Sequence, residues 1–207
     1  MQEMEEKMET KGAGTGSSQQ NRTPLRYKNR FTTKRIALMA MFMALSFAVS
    51  FLEFPIFPSA SFLRLDFGNV FILLISFLLG PTEGVLVCLG KELFRALVSD
   101  SGGIGEIANV VVTSSYILLP SLVYRYHKGL KAVIPCLIGA CFIGTLTALI
   151  INRFVTFPMY FGTEALVMYR AAFWFLAAFN LIKTVSVGIL TVLLYKRLSN
   201  FFKKLKI

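Results

Sequence analysis

One histidine, three cysteines and one tryptophan are all that 207 residues offer of these types, and charged side chains make up only 16% of the chain. His127 stands alone in a basic loop, so no histidine-based catalytic or metal constellation can be assembled. Neither a G-x-S-x-G nor an H-E-x-x-H motif occurs. Cys88, Cys136 and Cys141 lie inside apolar runs, where cysteine acts as a small hydrophobe, so neither a disulfide framework nor a metal site is implied. An ATP-binding motif is also missing. The stretch GVLVCLGKE at 84–92 has a superficial P-loop look but lacks the glycine spacing and the hydroxyl residue after Lys91. The Gly-x-Gly at 103–105 follows no strand, which removes the dinucleotide fingerprint. Residues 1–21 are polar, without an apolar run that could serve as a signal peptide. They are expected to form a disordered tail ahead of a membrane domain over 22–207.

What the chain has instead is apolar surface. At 55% hydrophobic, with 20 phenylalanines, it carries more than a soluble domain of this length could bury, which makes it an integral membrane protein. The net charge of +11 would suggest nucleic acid in a soluble protein. Here the cations sit at the ends of apolar runs and read as topology signals, so no nucleic-acid role is expected. The fold expected is an all-α bundle of six transmembrane helices. The first five spans cover about 36–52, 67–79, 82–98, 106–126 and 132–160. A loop over 159–165 follows Pro158, and the sixth span closes at Lys196. Arg22, Arg26, Lys28, Arg30, Lys34 and Arg35 precede the first span. Arg125, Lys128 and Lys131 separate spans four and five, and Lys196, Arg197, Lys203, Lys204 and Lys206 follow the sixth. The opposite-side loops offer only Arg64 and Arg170. Both termini are therefore cytoplasmic, and a cavity among the polar groups of the other half opens outward.

The chain is organised around Asn180 and Lys183. Between Arg170 and Lys196 nearly every other residue is apolar, glycine or a hydroxyl. Lys183 lies thirteen residues from each of those cations, roughly 20 Å along a helix at about 1.5 Å per residue. Its side chain cannot snorkel that far. An ammonium at such depth costs on the order of 3 kcal/mol unless it meets a partner, a wet cavity or a ligand. Asn180, one helical turn earlier, shares its face. The pair reads as the floor of a binding site; the alternative is a structural Lys-Glu pair between helices. Glu106 and Asn109, on one face of the first turns of span four, and Asn152, near the far end of span five, add polar groups at similar depth. For Glu106 the alternative is a first-turn acid complementing the helix dipole.

Three carboxamides, one acid and one ammonium among Phe, Leu, Met, Tyr and Trp174 suit a planar ligand with a polar edge. Asparagine presents donors and an acceptor to alternating carbonyl and N-H groups, while apolar walls bury the ring. Lys91, Glu92 and Arg95, within helical reach of one another in span three, read as an ionic cluster of structural weight, with a direct ligand role as the alternative. Ala37, Ala40, Ala44 and Ala48 form a small-residue stripe on span one, and Ala140, Gly144 and Ala148 form another on span five. Such stripes permit close helix approach, either to a partner or within the subunit. The phenylalanine-rich stretch over 51–66, broken by Pro55 and Pro58, reads as a lid over an apolar ligand or as a set of interfacial anchors.

The chain resembles the substrate-binding S components of energy-coupling factor transporters, most closely the riboflavin-uptake members. The resemblance covers about residues 34–198. It rests on LRLDF at 63–67, LGPTEGVLV at 79–87, GIGEIAN at 103–109, Leu119-Pro120, Asn152 followed by PMY at 158–160, and Asn180-x-x-Lys183 ahead of LYKRL at 194–198. The chain departs from the family where Gly68-Asn69-Val70 replaces the usual Asp and Pro after the Asp-Phe pair. The resemblance implies a multi-pass subunit of a prokaryotic cell membrane that captures riboflavin as cargo. It would be no enzyme, would hold no resident cofactor, and would rely on a transmembrane T component and two ATPases that hydrolyse ATP. It also implies that Asn152, Asn180 and Lys183 hold the ring, with Glu106, Asn109, Leu65, Asp66 and Phe67 completing the substrate site. Ala40 and Ala44 would contact the T component. Other readings of the residues stay open: an S component for a different vitamin, or a stand-alone proton- or ion-coupled carrier with Glu106 and Lys183 as its relay.

Overall fold

Nine of the twelve residues of the helix Gly68–Leu79 are buried, because a stretch whose only polar side chains are Asn69 and Ser76 has no face to give to water. The rest of the chain is arranged around it. The computed structural model describes residues 32–57, 63–99, 102–127 and 130–204; expectations for the tail, for Arg22 to Arg30, for Pro58, for Lys128 and for Lys206 fall outside them.

The elements are α1 (Thr33–Ser50), β1 (Phe54–Pro55), β2 (Arg64–Leu65), α2 (Gly68–Leu79), α3 (Pro81–Ala96), α4 (Ile104–Tyr126), α5 (Leu130–Ile151), a π-helical turn (Asn152–Thr156), α6 (Phe157–Phe161), a 3-10 turn (Gly162–Glu164) and α7 (Ala165–Lys204). Helix α2 packs against α1, α3, α4 and α7, and α5 closes the bundle against α4 and α7. Among the described residues, three helical stretches are long and apolar enough to cross a membrane, namely Thr33–Ser50, Ile104–Tyr126 and the continuous Lys131–Tyr195. Helix α2 is shorter: its twelve residues span about 18 Å, less than a hydrocarbon core.

Two local features explain how α2 and α3 fit together. Gly80 has φ +130° and its N–H closes α2 on the Ser76 carbonyl at 3.0 Å. That conformation is open to glycine and strained for other residues. Pro81 then starts α3, where its missing N–H costs nothing. One turn later Gly84 lies so close to α2 that a Cβ there would sit 2.5 Å from the Ser76 Cβ and 3.2 Å from the Ile117 side chain.

Two expectations are corrected and one is sharpened. The phenylalanine-rich stretch, expected to be non-helical, has its described ends tied into a hairpin: Phe54 and Pro55 pair antiparallel with Leu65 and Arg64 in a two-stranded ribbon. Pro158 does not end the fifth span. It occupies the first turn of α6, where no N–H is required, after the π turn has re-phased the chain. The loop expected over 159–165 is accordingly helical for most of its length.

The two small-residue stripes have opposite fates. Ala140, Gly144 and Ala148 are buried, with Gly144 held against Thr184 and Tyr116 where α4, α5 and α7 meet. Ala37, Ala40, Ala44 and Ala48 are all exposed, while α1 turns Phe42, Ser46 and Ser50 inward.

Candidate ligand-binding site

The main apolar core gathers around α2 with Phe42, Val87, Ile117, Val133 and Val187. A second cluster joins Leu63 beside the hairpin to Phe157, Ala165, Leu176 and Phe179, with Ile56 and Phe57 against it. The Phe57 ring meets Phe175 edge-on at 5.6 Å. The hairpin is thus fastened to α6 and α7. A cavity of about 680 Å³ is bordered by the hairpin, α3, α4, the π turn, α6 and α7, a volume suited to a small organic molecule.

Its walls carry Asn152, Asn180, Lys183, Glu106, Asn109 and Asp66. These six expected site residues come from four separate segments of the chain, and the fold brings them to one space. Leu65 and Phe67 are not on the cavity wall. Leu65 is buried without bordering the cavity, and Phe67 packs its ring on Phe54. Leu63 and Arg64 border the cavity in their place.

The polar wall is a chain of charge-assisted bonds. Lys183 Nζ donates to Asn109 Oδ1 at 2.7 Å, and Asn109 Nδ2 donates to Glu92 Oε1. Lys91 Nζ donates to the same Glu92 oxygen at 2.6 Å and to Asp66 Oδ2 at 2.5 Å. Asp66 Oδ1 in turn accepts the Gly68 N–H at 2.7 Å, at the start of α2. Two cations and two carboxylates balance to zero formal charge, as burial of ions requires. Among the described residues Lys183 therefore reaches a carboxylate only through Asn109, and the direct Lys-Glu pair is made by Lys91 instead.

On α7, Asn180 Nδ2 donates to the Leu176 carbonyl at 2.9 Å. At the end of α5, Asn152 Nδ2 donates to the Ala148 carbonyl at 2.7 Å. Each amide is anchored by one donor to its own helix, which leaves a carbonyl oxygen and a second N–H per residue for a guest. Together with the ammonium of Lys183, these can match a ring edge of alternating carbonyl and N–H groups. Val112, Phe157, Phe161 and Phe179 supply apolar wall.

At the mouth, Glu53 joins the hairpin to α3. It pairs with Arg64 at 3.0 Å and with Arg95, and Arg95 Nη1 also donates to the Ser50 carbonyl at 2.7 Å. Arg95 therefore turns to Glu53, whereas Glu92, one helical turn away, is engaged by Lys91 and Asn109. Sequence reasoning did not assign Glu53, Thr156, Phe157 or Tyr160 to the cavity wall, and it gave Glu92 a direct ligand role only as the alternative. For Glu92 the signal was present, as an acid inside an apolar run. For the aromatic residues there was none, since Phe and Tyr are abundant throughout.

The family model for the ECF transporter substrate-specific component matches residues 34–195. A riboflavin transporter, RibU, of Staphylococcus aureus is 32% identical over 185 residues, covering 86% of this chain and 96% of that protein. A RibU of Leuconostoc mesenteroides is 32% identical over 136 residues, covering 61% and 68%. A solved S component of a bacterial ECF transporter superposes with a TM-score of 0.72 at 34% identity, over 83% of this chain and 98% of that one. Members of this family bind substrate for transport and are not enzymes. With the family's model spanning nearly all the described residues, and the fold shared with a solved S component, the chain belongs to the substrate-specific components of ECF transporters.

Proposed function

We propose that this chain captures riboflavin in the cavity and serves as the binding subunit of an ATP-driven vitamin importer, together with a transmembrane T component and two cytoplasmic ATPases. The observation that carries this reading is the Lys183 ammonium held by Asn109 on the wall of an apolar cavity, with Asn180 and Asn152 beside it. A planar ring with an imide-like edge fits such a wall, and the names of the relatives point to the same vitamin. Riboflavin is the cargo here, not a resident cofactor.

In this reading α1 to α5 and α7 are six spans of a prokaryotic cell membrane, both termini face the cytoplasm, and the cavity opens outward, in keeping with the distribution of Lys and Arg. The exposed alanines Ala40 and Ala44 of α1 meet the T component, since close approach between helices in lipid relies on small residues.

The test is a visible spectrum of the purified protein and a titration with riboflavin, followed by fluorescence quenching. Flavin absorbance or saturable quenching supports the reading. Absence of both removes it, and competition by folate, thiamine, biotin or pantothenate would assign the cavity to another vitamin.

A further inference from the structure

Lys91 is the most deeply buried ionisable side chain around the cavity, with no exposed surface at all, and it does not border the cavity. Its ammonium nevertheless bonds both carboxylates of the polar wall, Asp66 at 2.5 Å and Glu92 at 2.6 Å. Those two do border the cavity. Glu92 further receives Asn109, which receives Lys183. Asp66, Glu92 and Lys183 are thus connected to Lys91 either directly or through one acid and one amide.

We propose that Lys91 is the positioning residue of the ligand site: it bridges Asp66 and Glu92 from behind and thereby fixes Asn109 and the ammonium of Lys183 toward the guest. This rests on the reading of the cavity as the ligand site. The physical ground is charge balance in a medium that tolerates little net charge. Lys91 and Lys183 against Asp66 and Glu92 sum to zero. Removal of Lys91 leaves an excess carboxylate, free to draw Lys183 away from its place beside Asn180. Because Asp66 also accepts the first N–H of α2, Lys91 ties the wall to the central helix as well.

The test uses the full chain, riboflavin as probe, and three variants: Lys91→Met, Glu92→Gln and the double variant. Formal charge over the bonded set of Lys91, Lys183, Asp66 and Glu92 is zero in the unaltered protein, −1 in K91M, +1 in E92Q and zero again in the double variant. The side-chain amide introduced by E92Q retains an oxygen for Asn109. Each single change should weaken riboflavin binding by about tenfold or more, and the double variant should bind more tightly than either, a coupling of opposite sign to simple addition. A buried lysine that merely supported the fold would lower the melting temperature of K91M and of the double variant alike, without that reversal. The proposal is overturned if K91M binds within twofold of the unaltered protein, or if the double variant is weaker than both single ones. Should K91M not fold, E92Q against the double variant decides: tighter binding by the double supports the proposal, weaker binding overturns it. If the unaltered protein does not bind riboflavin, the ligand reading itself is lost, and this inference with it.

Discussion

Lys183 on α7 and Asn109 on α4 are 74 residues apart in sequence and 2.7 Å apart in space. The bond holds a cation deep in an apolar helix without neutralising it, because a carboxamide oxygen accepts a proton's approach but carries no formal charge. Two further N–H donors of the ammonium are left for the cavity, so the bond orients Lys183 and keeps it serviceable.

Replacing Lys183 with Met should therefore weaken riboflavin binding by about 1 to 3 kcal/mol, the worth of a hydrogen bond to a charged group, or roughly five- to 150-fold in dissociation constant. Quenching of flavin fluorescence measures it. An affinity equal to that of the unaltered protein would make Lys183 a structural residue.

The hairpin is fastened at its mouth by Glu53, which serves both Arg64 and Arg95. Glu53→Gln should speed association and dissociation of riboflavin by a few-fold each, with little change in melting temperature, since partly exposed ion pairs contribute only about 1 kcal/mol or less to stability. Stopped-flow fluorescence distinguishes this outcome from a static mouth, which would leave both rates as they were.

Ala44 is exposed on α1, on the far side from Phe42 and Ser46, which face the core. Ala44→Trp should abolish riboflavin uptake by cells while the purified subunit binds as before. Parallel loss of binding would mean that the stripe packs within the subunit.

Gly84 has no room for a side chain beside Ser76. Gly84→Val should destabilise the protein by about 1 to 3 kcal/mol or more, the usual penalty of overpacking, visible as a lower melting temperature in detergent. A melting temperature unchanged by the valine would mean that α2 and α3 separate without cost.

Much of this site was legible because a membrane makes polar residues expensive. Asn152, Asn180, Lys183, Glu106 and Asn109 stood out against apolar runs, and the fold brings all five to one cavity. The hairpin was not legible, since two-residue strands leave no periodicity to read and prolines argued only for the absence of helix. The continuation of helix past Pro158, over 159–165, was hidden for a related reason: Pro158 marks a helix end or a helix start equally well.

The stripes show where sequence stops. Alanine at 37, 40, 44 and 48 and the small residues at 140, 144 and 148 carry the same pattern and the same chemistry. Only the packing of α4 and α7 around α5 decided that the second set is buried, while α1 faces outward along the first.

The sequence by itself determined that this is an apolar helical chain with a costly ammonium far from any end of its helix, since composition and depth along a helix are local quantities. Tertiary structure decided what that ammonium meets. Hydrogen bonds act over about 3 Å, so only the approach of α4 to α7 could give Lys183 the oxygen of Asn109, and only the fold of 63–67 onto α3 could bring Asp66 to Lys91.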